Sequence, residues 1–307
     1  MNPATTRLPK LCCFRGPGQP CHVRHTSATI LLAAALAVCL LASTAGCNRP
    51  RVEETDTIKV IATILPLADF VQQVGGDRID VTVMVPPGAS PHVHEPTPGQ
   101  MIDVSQADVY VKVGSGIEFE IAWLDKLVEQ NREMSIIDCS EGIAIVGGDP
   151  HIWNSPANAS KMVENIRDGL AAIDPTNADR YGQNCEDYRS QLAGLDSYLR
   201  ERFDGATERH FMMYHPSFGY LASQYDLTQI AVEYEGKAPT PQVLRDCIDL
   251  ARIHNLDYIF VGSQMSPFEA ESLAEAVNAE TVLIDPLPGD YVANMRSVAD
   301  AIARELE

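Results

Sequence analysis

Two hydrophobic rhythms alternate along the chain. Short runs rich in β-branched side chains occupy residues 58–63, 81–85, 109–113 and 135–138. Between them, segments 66–74, 100–106 and 121–130 repeat apolar positions every three or four residues. The first rhythm predicts strands and the second helices. Gly75-Gly76, Pro86-Pro87-Gly88 and Gly114-Ser115-Gly116 punctuate the elements, where glycine and proline end regular structure. The alternation then stops for two helical stretches, 160–173 and 177–203, separated at Asp174-Pro175. In the second, Tyr181, Cys185, Tyr188, Leu192, Leu195 and Leu199 fall at steps of 4, 3, 4, 3 and 4, the stripe of a helix with one packed face. Strand-like runs return at 211–214, 228–232, 258–261 and 281–284, with helical segments at 218–225, 241–254, 267–277 and 291–306. Strands alternating with helices at this spacing predict βαβ units and parallel sheets. The expected fold is α/β: two lobes, each a mostly parallel sheet flanked by helices, joined by one long rigid helix. The expected boundaries are 58–176, 177–203 and 204–307.

Ahead of this body lies a different pattern. Residues 29–42 carry no charge; the run is short of the ~20 residues that span a bilayer and has the length of a signal-peptide core. Arg24 precedes it, and Ser43-Thr44-Ala45-Gly46 leads from it into Cys47. Small residues suit a peptidase cleft, and T-A-G-C resembles a lipobox, with Thr44 where a branched aliphatic is usual. Residues 1–46 are therefore expected to be a signal peptide, Cys47 the lipid acceptor, and 47–57 a polar tether. The stretch before the apolar run is long for a leader, which a translation start near Val23 would explain. The alternatives are a buried core helix or an uncleaved anchor.

Composition narrows the partners. The net charge is −19, and residues 1–46 hold four basic and no acidic side chains, so the balance without them is −23. Such a surface repels phosphate backbones, and no nucleic-acid partner is expected. Of eight cysteines, five lie at or before residue 47, leaving Cys139, Cys185 and Cys247. No Cys-x-x-Cys pair occurs, so thiolate zinc ribbons and thioredoxin-like chemistry find no support.

The candidate chemistry is in the histidines. Beyond residue 47 these are His92, His94, His151, His210, His215 and His254. His92, His151 and His215 each sit in a proline-bearing loop after a predicted strand, and Asp285 follows the last strand in the same manner. Ligands of open parallel sheets bind beyond the carboxyl ends of the strands, where such loops converge. Three imidazoles and one carboxylate suit four-coordinate zinc. Singly, each is weak evidence. His94 competes with His92, Asp285 before Pro286 also fits a turn or cap, and His210 and His254 read as ordinary surface residues.

The segments S-P-H-V-H-E-P-T-P, G-S-G-I-E-F-E-I-A-W-L, D-P-H-I-W, Y-H-P-S-F-G-Y, E-G-K-A-P-T-P and I-D-P-L resemble the metal-binding substrate-binding lipoproteins of zinc and manganese ABC importers, over residues 58–307. The resemblance implies metal ligands at His92, His151, His215 and Asp285, and favours His92 over His94. It implies two α/β lobes on a stiff helix with limited closure, and partners in an importer permease and its ATPase. Histidine at position 215 resembles the zinc members, glutamate the manganese members. Glu118 matches a family glutamate near the cleft, a candidate hydrogen-bond partner for a ligand imidazole, as is His94. Residues 140–149 lack the histidine-rich acidic loop of many zinc members. The expectation is a monomeric, exported, membrane-anchored Zn(II) receptor and no enzyme. Manganese or iron(II) is the alternative cargo, a secreted zinc hydrolase the alternative class, and a surface adhesin a role that could coexist. A hydrolase needs an open metal position and a general base. The chain lacks His-Glu-x-x-His, and Glu95 is the acid beside a ligand loop considered as a base.

Overall fold

The computed structural model describes residues 57–233, 237–265 and 267–307; the expected signal peptide, most of the tether and Cys47 lie outside them. Strands β1 (Ile58–Ala62), β2 (Ile79–Val83), β3 (Val109–Lys112) and β4 (Ser135–Asp138) form one parallel sheet in the order β2-β1-β3-β4. Strands β5 (His210–Met213), β6 (Thr228–Ala231), β7 (Tyr258–Gly262) and β8 (Glu280–Ile284) form a second in the equivalent order β6-β5-β7-β8, again parallel. The two-lobed α/β architecture is the expected one. Parallel strands need both faces covered, and the central strands comply: Val60, Ile61, Val109, Tyr110, Ile259 and Phe260 are all buried.

Among the described residues the helices are α1 (Leu65–Gly75), α2 (Pro98–Ser105), α3 (Glu118–Gln130), α4 (Pro156–Ile173), α5 (Ala178–Phe203), α6 (Gly219–Gln224), α7 (Pro241–His254), α8 (Pro267–Val277) and α9 (Tyr291–Leu306). Several start earlier than the periodicity indicates, because caps set helix starts. Thr97 and Gln100 make a reciprocal capping box at α2, and Ser155 Oγ accepts from Asn158 N at α4, each with proline in the first turn. The apolar stripe begins only later.

Helix α5 joins the two sheets. Its 26 residues span about 39 Å at 1.5 Å per residue. Tyr181, Cys185, Tyr188, Leu192, Leu195, Leu199 and Phe203 are its buried face, packed on α4, α1 and α9. It is bonded to both lobes. Tyr188 Oη donates to Asp69 Oδ2 at 3.1 Å on α1, and Tyr198 Oη donates to Asp300 Oδ1 at 2.7 Å on α9. One apolar core runs through both lobes along this helix, and a smaller one lies between the second sheet and α7 and α8. Cys139, Cys185 and Cys247 are each buried as free thiols, so no bridge forms among them.

Leu195 is fully buried in the joining helix. Leu195→Ala is expected to lower stability by about 2–5 kcal/mol, the range for a Leu cavity, as read by urea denaturation.

Candidate metal centre

Both sheets send their carboxyl-end loops to one cleft. After β2 the chain continues the ladder, Met84 N donating to Ala62 O at 2.9 Å and Val85 N to Thr63 O at 3.0 Å. It then turns at Ser90, whose carbonyl accepts from Val93 N and His94 N, and presents His92. The loop after β4 presents His151, where Asp149 Oδ1 accepts from the His151 backbone N–H at 2.9 Å. Tyr220 Oη pins that loop by donating to Asp149 O at 3.0 Å. The loop after β5 presents His215, whose carbonyl accepts from Ser217 N at 2.9 Å.

Three of the four expected ligands are thereby brought together. His215 Nε2 stands 3.2 Å from His92 Nε2 and 3.2 Å from His151 Nε2. The ligand atoms of the three all lie within 4.8 Å of one another. Tetrahedral zinc with bonds of 2.0–2.1 Å sets its ligand nitrogens about 3.3 Å apart, so the spacing fits one such ion. His151 and His215 are buried and His92 half-buried. Pro91, Val93, Trp153, Met265 and Leu287 line the cavity around them. Apolar walls lower the local dielectric and keep competing water from the ligands.

The other nitrogen of each ring faces a carboxylate. His151 Nδ1 lies 2.7 Å from Asp149 Oδ1, His215 Nδ1 lies 2.7 Å from Glu233 Oε1, and His92 Nδ1 lies 3.0 Å from Glu118 Oε2. An ionised carboxylate only accepts, so it fixes the ring proton on Nδ1 and leaves the Nε2 lone pair pointing into the cleft. Glu118 was legible in the sequence. Asp149 and Glu233 were not, although both stand at strand-end loops, the feature that singled out Asp285. Glu118 is held by its neighbour Glu120. The buried Glu120 carboxylate accepts from Thr63 Oγ1 at 2.6 Å, Val113 N at 2.6 Å and Gly114 N at 2.9 Å, stapling the start of α3 to the end of β3. Gly114 belongs there because its φ is +79° and an added Cβ would stand 2.0 Å from Asp138 Oδ1.

Asp285 and His94 are placed differently. Asp285 Oδ1 accepts from Gln264 Nε2 at 2.6 Å, Ser263 Oγ at 2.8 Å and Leu287 N at 3.0 Å, and its carboxylate stands outside the three-imidazole group. His94 packs its ring on Phe119 with centroids 5.9 Å apart, and its buried Nε2 has no hydrogen-bond partner. Neighbours in an extended loop point opposite ways, so two residues apart need not share a target once the loop turns.

The family model described as zinc-uptake complex component A, periplasmic (ZnuA), matches residues 60–305. The chain belongs to the ZnuA family. A crystal structure of a ZnuA superposes with a TM-score of 0.79 at 36% identity, covering 82% of this chain and 100% of that one. The high-affinity zinc uptake system protein ZnuA of Bacillus subtilis (strain 168) is 28% identical over 255 residues, which is 76% of this chain and 80% of the relative. The manganese-binding lipoprotein MntA of Halalkalibacterium halodurans is 29% identical over 222 residues, 68% of this chain and 72% of its own length.

Electrostatics divide this ZnuA-family site. Burial pushes the His151 imidazolium pKa down, so this ring is neutral and ready to coordinate. The hydrogen bond to Glu118 pushes His92 up against the opposing effect of burial. A cation must therefore displace a proton from His92 as pH falls toward and below the raised value. Glu118→Gln removes the cause. The fall in zinc affinity on acidification is expected to begin at lower pH in that variant, in competition titrations against a chromophoric chelator between about pH 6 and 8.

Proposed function

We propose that this protein is an extracytoplasmic receptor that binds Zn(II) between its lobes and delivers it to an ABC importer permease and its ATPase. The observation that carries the reading is the trio of Nε2 atoms of His92, His151 and His215, spaced 3.2 Å along two edges. Three nitrogen donors suit zinc, whereas manganese prefers carboxylate and water. Zinc here is the cargo, and no residue is assigned a catalytic role. The fourth tetrahedral position is our assignment for Asp285, whose Oδ1 is held by Ser263, Gln264 and Leu287 and whose carboxylate must swing inward to take it.

Manganese or iron(II) is the second reading, supported by the likeness to a relative named for manganese. Among the described residues no helix is long and apolar enough to cross a membrane. In this reading acylation of Cys47, after loss of residues 1–46, holds a monomeric receptor at the outer face of the membrane.

A ligand that binds only the folded state stabilises it by about 4 kcal/mol at a thousandfold excess over Kd. His151→Ala is expected to abolish most of the zinc-induced rise in Tm; an undiminished rise would remove His151 from the shell. Asp285→Ala should weaken zinc at least tenfold, and an unchanged Kd would give the fourth position to water. His215→Glu should shift preference toward manganese in competition titrations. Elemental analysis of the protein purified from its own host decides the cargo: zinc supports the reading, and manganese or iron in its place overturns it. Cys47→Ala should release the protein from membranes in cell fractionation.

A further inference from the structure

His210 and His254 look unrelated in the sequence, 44 positions apart and in different predicted elements. The fold stacks them. His210 is the first residue of β5 and His254 the last of α7, and their ring centroids are 3.7 Å apart at 32°. Between them stands one carboxylate, from the loop that leads into β5. Glu208 Oε1 lies 2.5 Å from His210 Nδ1, and Glu208 Oε2 lies 3.3 Å from His254 Nδ1. The Arg209 and His210 backbone N–H groups donate to the same Oε1 at 2.7 and 2.8 Å, which fixes the carboxylate in place. One ligand atom from each of the three residues lies within 4.8 Å of the other two.

We propose that Glu208, His210 and His254 form a second divalent-cation site, of the two-imidazole, one-carboxylate type that suits zinc with an open position for water. Two segments supply the donors, Glu208 and His210 at the entry to β5 and His254 at the end of α7, so an ion would tie one to the other. The surroundings favour a cation. The carboxyl end of α7 carries the negative end of its helix dipole. Glu305 lies near enough to feel the Glu208 charge, though burial pushes its carboxyl up to about 7, so its contribution grows only above neutral pH. Arg209, the basic side chain next in sequence, is turned away to donate to Phe203 O at 2.9 Å. Side-chain exposures of 31% for His210, 28% for Glu208 and 20% for His254 leave the group reachable from solvent.

This group is distinct from the cleft. His210 begins β5 and His215 follows its other end, five residues or about 16 Å of extended chain away at ~3.3 Å per residue. An ion there does not share a ligand with the cleft ion, so the two fill independently. The open position and greater exposure make it the weaker of the two.

The test is zinc content by equilibrium dialysis of the metal-stripped full chain, at free zinc well above that which fills the cleft. Donors in residues 1–56 contribute equally to every variant, so differences report the sites alone. His210→Ala and His254→Ala are each expected to hold one equivalent fewer than wild type, and Glu208→Gln to need at least tenfold more zinc for the same occupancy. His151→Ala should lose a different equivalent and keep this one. Equal zinc content in wild type, His210→Ala and His254→Ala would overturn the proposal. Should either alanine variant fail to fold, as judged by circular dichroism, Glu208→Gln decides: it keeps a side chain of the same shape, and wild-type zinc occupancy in it overturns the site.

Discussion

Three imidazole nitrogens, with 3.2 Å between neighbours, are an uncomfortable group in a buried cleft. Lone pairs aimed at one another repel, and protonating all three would place like charges a few ångströms apart. Two rings are held from behind by hydrogen bonds at Nδ1, His151 by Asp149 and His215 by Glu233, and Glu118 pairs with His92 Nδ1 at 3.0 Å. Asp149 and Glu233 come from two loops and Glu118 from the start of α3, so the constraint is distributed over both lobes. It turns three Nε2 atoms toward one another, His215 standing 3.2 Å from each of the other two, an arrangement a single cation would relieve. Burial of His151 and the carboxylate beside His92 push the two rings in opposite directions. The site therefore holds a neutral, waiting donor and a proton-exchanging one.

That geometry requires two lobes that hold their spacing. Trp153 Nε1 donates to Pro286 O at 2.7 Å, Tyr291 Oη donates to Trp153 O at 2.7 Å, and Asn154 Nδ2 donates to Ser217 O at 2.8 Å. These bonds cross between the loop that bears His151 and the second lobe, directly beneath the cleft. Helix α5 adds a second brace, bonded to α1 through Tyr188 and to α9 through Tyr198. A buried, mostly apolar helix face and several short hydrogen bonds resist a wide hinge opening. Small motions of loops suit such a frame better than rotation of whole lobes.

The apolar walls and the ligands divide the work of selectivity. Nitrogen donors favour zinc over harder cations, yet the affinity order of divalent metals lets zinc occupy almost any nitrogen site. Selection among abundant metals must then come from geometry and from proton competition. The acids behind the rings bear on both, since they orient the imidazoles and, at His92, raise the pKa. Glu118, Asp149 and Glu233 stand behind the three imidazoles of the proposed site, where a substitution leaves the rings themselves in place.

The sequence by itself determined the fold class and most of the ligand candidates. Strand-length β-branched runs alternate with amphipathic segments, and the long stripe from Tyr181 to Leu199 can bury itself only as one helix face. These signals are local, so they survive without coordinates. His92, His151 and His215 were legible because parallel sheets carry ligands at strand ends, a rule of topology rather than of contact. Helix starts at Thr97 and Ser155 were missed because capping precedes the apolar rhythm. Only the tertiary structure decided which donors meet. It set Asp285 apart through Gln264 and Ser263, turned His94 onto Phe119, and put Asp149 and Glu233 behind their rings. It also joined His210 and His254 across Glu208. Each of these depends on distances between residues remote in sequence, fixed by how loops pack in space, and periodicity along a chain carries no such information.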